Sequence, residues 1–352
     1  MTPLNKIAMR SALDTLYYTS TYRLFRKKWS GVGVIFTLHH VRSNSDRNDF
    51  SPNRILDITP EFLDATIKQV RTLGYDIISL DEVHDRLINK NFDRKFVAFT
   101  LDDGYLDNLT HAQPIFESND APFTVYVCTG FPDGEVLMWW EVLEQIIEQR
   151  GHVSVTVDGQ LFDYVTKTTA EKYAAFNAIY WALRRLPHEQ QYIEAEKMAD
   201  QYNFDWKELC RSCSMTWNQI RELNNHPLVT IGAHTINHYA LRKLPSDQVR
   251  EEADHSRKIL AEQLGEEVKH FAYPYGDFGS AASREFEIMQ ELKFTTSTTT
   301  RKAMLFPEHA EHVQALPRVS LNGDFQSRRY VRLFLSGAPF ALSNKFQRLV
   351  VD

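Results

Sequence analysis

Phe96-Val97-Ala98-Phe99-Thr100-Leu101, followed by Asp102-Asp103-Gly104-Tyr105, is the stretch on which the fold turns. The apolar run reads as a strand buried on both faces, the pattern of a parallel sheet. Two adjacent carboxylates stand at its C-terminal end. Desolvating a carboxylate is costly, so such a pair faces a pocket or a cation, unless it only shapes a turn, as Asp-Asp-Gly also can. A second segment of the same design bears on that choice. Leu228-Val229-Thr230-Ile231 is another apolar run, and His234-Thr235-Ile236-Asn237-His238 follows it. Imidazoles four residues apart share one face of a helical turn, a spacing suited to one metal ion. Together the two segments suggest a mononuclear metal hydrolase.

Outward from these runs, short β-like segments alternate with helical patterns. Strands are expected at 32–38, 75–79, 96–101, 123–128, 228–233, 268–273, 294–298 and 314–320. Helices are expected at 59–73 (Thr59 as N-cap, Pro60 at the first position), 80–87, 216–224, 246–264 and 283–292. This α/β alternation predicts a distorted (β/α) barrel of seven to eight parallel strands with its active face at the strand C-termini. A doubly wound open sheet is the alternative. About a hundred residues separate the strands ending at Cys128 and starting at Leu228, far too many for one connection. Within them Val153 to Leu161 reads as a hairpin turning at Asp158-Gly159, with helices from Thr169 and Glu189. The expected organisation is a basic amphipathic helix over 1–30, the barrel over 31–325 with a hairpin-plus-helices insertion near 131–215, and a tail over 326–352.

Composition narrows the function. At 352 residues, 43% hydrophobic and 24% charged, the chain is an ordinary globular sequence. A net charge of −6 argues against a nucleic-acid partner. There is no bilayer-length apolar run and no signal-peptide core near Met1. Cys128, Cys210 and Cys213 are too few for a disulfide framework and read as plain thiols, which fits a cytoplasmic protein. Residues 1–30 carry Lys6, Arg10, Arg23, Arg26, Lys27 and Lys28 against Asp14, interleaved with Leu13, Leu16, Tyr17, Tyr18, Tyr22, Leu24 and Phe25. Such a segment either rests peripherally on the inner membrane face or packs its aromatic stripe on the body. The stretch Tyr330 to Leu335 is its expected neighbour.

The segments that carry the chemistry also carry a resemblance. Thr100-Leu101-Asp102-Asp103-Gly104-Tyr105 is similar to the T-F-D-D-G motif of the NodB-homology polysaccharide deacetylases, and His234 to His238 matches their H-[ST]-x-x-H motif. Phe271-Ala272-Tyr273-Pro274-Tyr275-Gly276 looks like their R-x-P-Y motif, and Leu316-Pro317-Arg318-Val319 resembles a late strand of a subgroup. The resemblance implies that Asp103, His234 and His238 bind a divalent metal, zinc first, with cobalt, nickel or iron also compatible. It implies Asp102 as the catalytic base. Three protein ligands leave positions for water and a substrate oxygen, and the Tyr105 backbone N–H is the expected oxyanion donor. The implied substrate is an N-acetylated oligo- or polysaccharide such as a chitooligosaccharide.

Two positions depart from the family pattern. Ala272 stands where many members carry the arginine that orients the base, and Arg318 is the candidate to replace it. The late histidine that serves as general acid is missing, since His309 and His312 do not fit its spacing. His39 and His40 end the first strand, and His40 is the candidate for substrate contact or proton donation. Tyr273, Pro274, Tyr275 and Trp140 are candidate sugar contacts, although Trp139 and Trp140 also suit packing of the insertion. Removal of O-acetyl groups and a catalytically inactive carbohydrate-binding barrel are the competing functions.

Overall fold

The computed structural model describes residues 3–43 and 48–351, with side chains from Ile7 onward; the Lys6 side chain, one of the N-terminal charges, lies outside them. The sheet contains β1 (Gly33–Leu38), β2 (Asp76–Ile77), β3 (Phe96–Leu101), β4 (Phe123–Val127), β5 (Val229–Ala233), β6 (His270–Ala272), β7 (Thr296–Thr298) and β8 (Val319–Ser320). Its order is β7-β6-β5-β4-β3-β1-β8, with β2 alongside the start of β3. Every pairing is parallel. Thr298 also bridges Leu316, just ahead of β8, so the sheet curls until its two edges meet. The chain is a distorted (β/α) barrel, not an open doubly wound sheet.

All six residues of β1 and of β3 are buried, as their unbroken apolar runs require. They pair in register from Gly33 opposite Phe96 to Leu38 opposite Leu101. That register sets His39 beside Asp102, whose N–H donates to the Leu38 carbonyl at 3.0 Å. The expected strand over 314–320 is cut to β8 because Val313–Ala315 forms a 3-10 turn and Pro317 offers no N–H. Helices begin where capping chemistry allows. Thr59 accepts from the Phe62 N–H ahead of Pro60–Thr72, and Thr216 forms a capping box with Gln219 ahead of Trp217–Asn224.

Between β4 and β5 the chain builds a separate apolar cluster that includes Leu143, Ile146, Val155, Phe176 and Met198. Its hairpin pairs His152–Val157 with Gln160–Val165 through Asp158 (φ 51°) and Gly159 (φ 74°). Two consecutive left-handed residues make the two-residue turn whose twist matches the strands. Cys210 and Cys213 are free, and burial pushes their thiols up to about 11 and about 12.

The N-terminal segment is two helices, Pro3–Tyr18 and Tyr22–Trp29. Leu13 and Tyr22 are buried in the main core, and Asp14 pairs with Arg329 at 2.9 Å at the start of helix Arg328–Leu335. Part of the aromatic stripe therefore packs on the body, while Tyr18 and Leu24 stay exposed. No helix among the described residues is long and apolar enough to cross a membrane.

Candidate active site

The strand ends at the C-terminal rim converge on one cleft of about 780 Å³, floored by Asp102, Asp103, His234 and His238. Asp103 (φ 75°) and Gly104 (φ 74°) are both left-handed, which turns the chain sharply after β3. The two carboxylates consequently serve different neighbours.

Asp103 Oδ1 lies 3.3 Å from His234 Nε2 and 3.1 Å from His238 Nε2. Among the described residues it is buried without a hydrogen-bond partner, as is His238 Nδ1. The His234 Nδ1 proton points to the Ala272 carbonyl at 2.8 Å, which leaves its Nε2 lone pair aimed at the same point. Three donor atoms within 4.8 Å of one another, one of them an orphaned carboxylate oxygen, fit a divalent cation.

The expected helical turn over 234–238 is not there. The segment is a loop in which Thr235 (φ 65°) and His238 (φ 57°) are left-handed. Glu252, on helix Ser246–Leu264, shapes it by accepting from the Ile236 and Asn237 N–H groups, each at 3.0 Å. Thr235 Oγ1 accepts from the His238 N–H at 2.9 Å. A loop tied this tightly brings residues i and i+4 together as well as a helix does.

Asp102, on the same cleft floor, has a different partner. Arg318, fully buried, donates from Nη1 to Oδ1 at 2.6 Å and from Nη2 to Oδ2 at 2.7 Å. Arg318 is itself held by the Thr299 carbonyl and Thr100 Oγ1, both at 3.0 Å. Burial raises the Asp102 carboxyl, but the Arg318 guanidinium lowers it further, and its pKa ends below the ordinary carboxylate value. Asp102 is an ionised, oriented acceptor.

The first strand corrects the histidine expectation. His40 is buried away from the cleft. Its Nδ1 meets Asp107 Oδ2 at 2.6 Å, its Nε2 meets Arg42 Nη2 at 3.1 Å, and its ring lies 3.5 Å from that of Tyr105. The neighbouring His39 lines the cleft instead, with Nε2 3.9 Å from Asp102 Oδ2. Successive side chains point to opposite faces at a strand end, so only one of the two histidines can reach the site. Burial lowers the His39 pKa, with Asp102 opposing. Asp107, which ties His40, Arg42 and the Val41 N–H together, carried no sequence signal beyond its place two residues past Tyr105.

The sugar-contact candidates also divide. Trp140 and Tyr275 line the cleft, and each ring lies 4.9 Å from that of His238. Tyr273 is in the core, its hydroxyl donating to the Gln314 carbonyl at 2.8 Å, and Pro274 is buried without lining the cleft. These two shape the turn that presents Tyr275 (φ 61°). Trp139 is buried and donates to the Tyr275 hydroxyl at 3.0 Å, while Trp140 donates to the Tyr105 hydroxyl at 3.3 Å. Among the described residues, the Tyr105 backbone N–H has no hydrogen-bond acceptor.

Comparison with known proteins agrees with this fold. The family model for polysaccharide deacetylase matches residues 89–296. The fold is similar to that of a Streptococcus pyogenes deacetylase, PplD, solved in complex with acetate: 18% identity, TM-score 0.55, 86% of this chain and 96% of that one covered. It is similar to IcaB from Ammonifex degensii at 19% identity and TM-score 0.53, covering 86% and 97%. A de-N-acetylase from Aggregatibacter actinomycetemcomitans matches at 13% identity and TM-score 0.52, covering 86% and 99%. No match was found among curated proteins.

Proposed function

Because this chain belongs to the polysaccharide deacetylase family, we propose that it removes N-acetyl groups from an amino-sugar glycan, using a cation held by Asp103, His234 and His238. The observation that carries this reading is an ionised, doubly anchored Asp102 beside that buried three-ligand group on the floor of one cleft. When bound, a divalent cation there supplies Lewis acidity to the acetamide carbonyl and to water. Zinc suits two imidazoles and a carboxylate, and the donor set also admits cobalt, nickel or iron.

The chain's own residues supply the rest. Asp102 takes a proton from the attacking water as the C–O bond forms. The Tyr105 N–H donates to the tetrahedral oxyanion. His39, neutral at rest and with Nε2 3.9 Å from Asp102, receives the proton from Asp102 through one bridging water and passes it to the departing nitrogen as the C–N bond breaks. The products are the free amine and acetate. Trp140 and Tyr275, with Tyr180 and Trp181 from the insertion, give the cleft aromatic walls suited to a sugar ring. The unpaired thiols suit a reducing compartment, the cytoplasm.

Acetate release from chitooligosaccharides, abolished by a chelator and restored by zinc or cobalt, is the expected result. Release only from O-acetylated xylan would reassign the site to ester hydrolysis. Tight glycan binding with no release from any acetylated sugar would make the chain a binding barrel.

A further inference from the structure

A second cavity, of about 400 Å³, lies at the other end of the barrel from the cleft. It opens between helix Tyr22–Trp29, the C-terminal end of helix Pro60–Thr72 and helix Arg328–Leu335. Arg23, Arg26 and Arg332 line it together with Tyr22, Tyr75 and Leu335, and no carboxylate among the described residues does. Among the described residues none of these three guanidinium groups has an ion-pair or hydrogen-bond partner. Arg86, by contrast, is neutralised by Asp76 and Glu82. Lys95 adds a fourth cation nearby: its Nζ donates to Ser30 Oγ, and burial together with Arg26 lowers its pKa. Like charges gathered without a counter-ion repel one another, and a bound anion removes that cost.

We propose that the Arg23–Arg26–Arg332 cavity binds a phosphate-bearing ligand. Guanidinium forks match phosphate oxygens in geometry as well as charge. The apolar walls of Tyr22, Leu73 and Leu335 strengthen the attraction by excluding water. The cavity holds more than a bare phosphate, so the ligand carries a small organic group of about glycerol size. Two sources share that chemistry, a soluble phosphate ester and a phospholipid headgroup. Leu24, 80% exposed on the same helix as Arg23 and Arg26, is placed to enter the apolar layer if the source is a lipid.

The test uses the full chain with two probes. Glycerol 3-phosphate is titrated by calorimetry, and sedimentation is measured with phosphatidylcholine vesicles with and without one-third phosphatidylglycerol. At least one phosphate source binds, and R26Q/R332Q weakens it tenfold or more. R185Q/K269Q, with the same charge change elsewhere on the surface, leaves binding unaltered. Arg23→Gln, a milder change, weakens it about threefold, and melting by circular dichroism shows that each variant is folded. Vesicle binding that also needs Leu24, lost in Leu24→Ser, identifies a headgroup. Glycerol 3-phosphate binding indifferent to Leu24→Ser identifies a soluble ester. Failure of both probes to bind, or equal weakening by R185Q/K269Q, overturns the proposal.

Discussion

Arg318 grips both carboxylate oxygens of Asp102, at 2.6 and 2.7 Å, across a sequence separation of 216 residues and with no water-exposed surface of its own. The pair keeps a buried carboxyl ionised and fixes its direction, and with alanine at position 272 β6 supplies no arginine to do so. Replacing Arg318 by Met removes the cation while burial remains, so the Asp102 pKa moves up and its base form is lost at low pH. We expect kcat to fall about 100-fold or more near neutrality and the acid limb of the pH–rate profile to shift upward. The unpaired buried carboxylate also costs about 3–5 kcal/mol of stability, so rates are referred to the folded fraction. An unshifted acid limb would remove Arg318 as the positioning residue.

The two adjacent histidines give opposite outcomes. His39→Ala should lower turnover of an N-acetyl sugar about 100-fold, because an amine leaves poorly without a proton. It should affect 4-nitrophenyl acetate far less, since nitrophenolate leaves unaided. His40→Ala breaks the contacts to Asp107 and Arg42 and should lower the unfolding midpoint, with the ratio of the two substrate rates unaltered. The comparison fails if His40→Ala is the variant that separates the substrates.

Which of these histidines faces the cleft could not be read from the sequence, and the reason is local. Alternation along β1 ends at Leu38, and nothing in His39-His40 states which side follows. The barrel itself was far more legible. Buried runs such as Phe96–Leu101, the helix Ser246–Leu264 and the Asp158-Gly159 turn each carry their own periodicity or turn chemistry. Motif spacing identified Asp103, His234 and His238 as neighbours, but it could not separate a helical turn from a loop that reverses through Thr235 and His238. The contact between Arg318 and Asp102 depends on closure of the sheet through Leu316 and β8, a long-range event, so Arg318 comes forward only through the family resemblance and Ala272. Asp107, equally dependent on long-range contacts, has no such pointer.

The loop that presents His238 depends on Glu252, which touches no proposed ligand atom. Glu252→Ala frees the Ile236 and Asn237 N–H groups and lets the loop relax. Cation affinity should drop about 10- to 100-fold, the usual effect of losing a supporting contact. Asp103→Asn or His234→Ala should leave almost no metal after dialysis, whereas Asp102→Asn retains it and loses turnover. Elemental analysis beside the activity assay decides. Loss of metal in Asp102→Asn would exchange the roles of the two aspartates.

Glu144 makes stability depend on pH. Its carboxylate accepts from the Asn53 N–H at 3.0 Å, next to the cleft wall. Burial, with Glu141 adding, pushes its pKa up from 4.5 to about 8. A carboxyl raised in the folded state costs nothing below pH 4.5, where both states hold the proton. Between 4.5 and 8 the unfolded chain ionises first, so stability falls as pH rises, and the loss is complete above 8. Glu144→Gln keeps an acceptor for Asn53 without the charge. It should leave stability at pH 4.5 nearly unaltered and raise it by roughly 4–5 kcal/mol at pH 8.5. Urea unfolding of both proteins at the two pH values measures this, and an equal gain at both would mean that packing, not ionisation, distinguishes the variant.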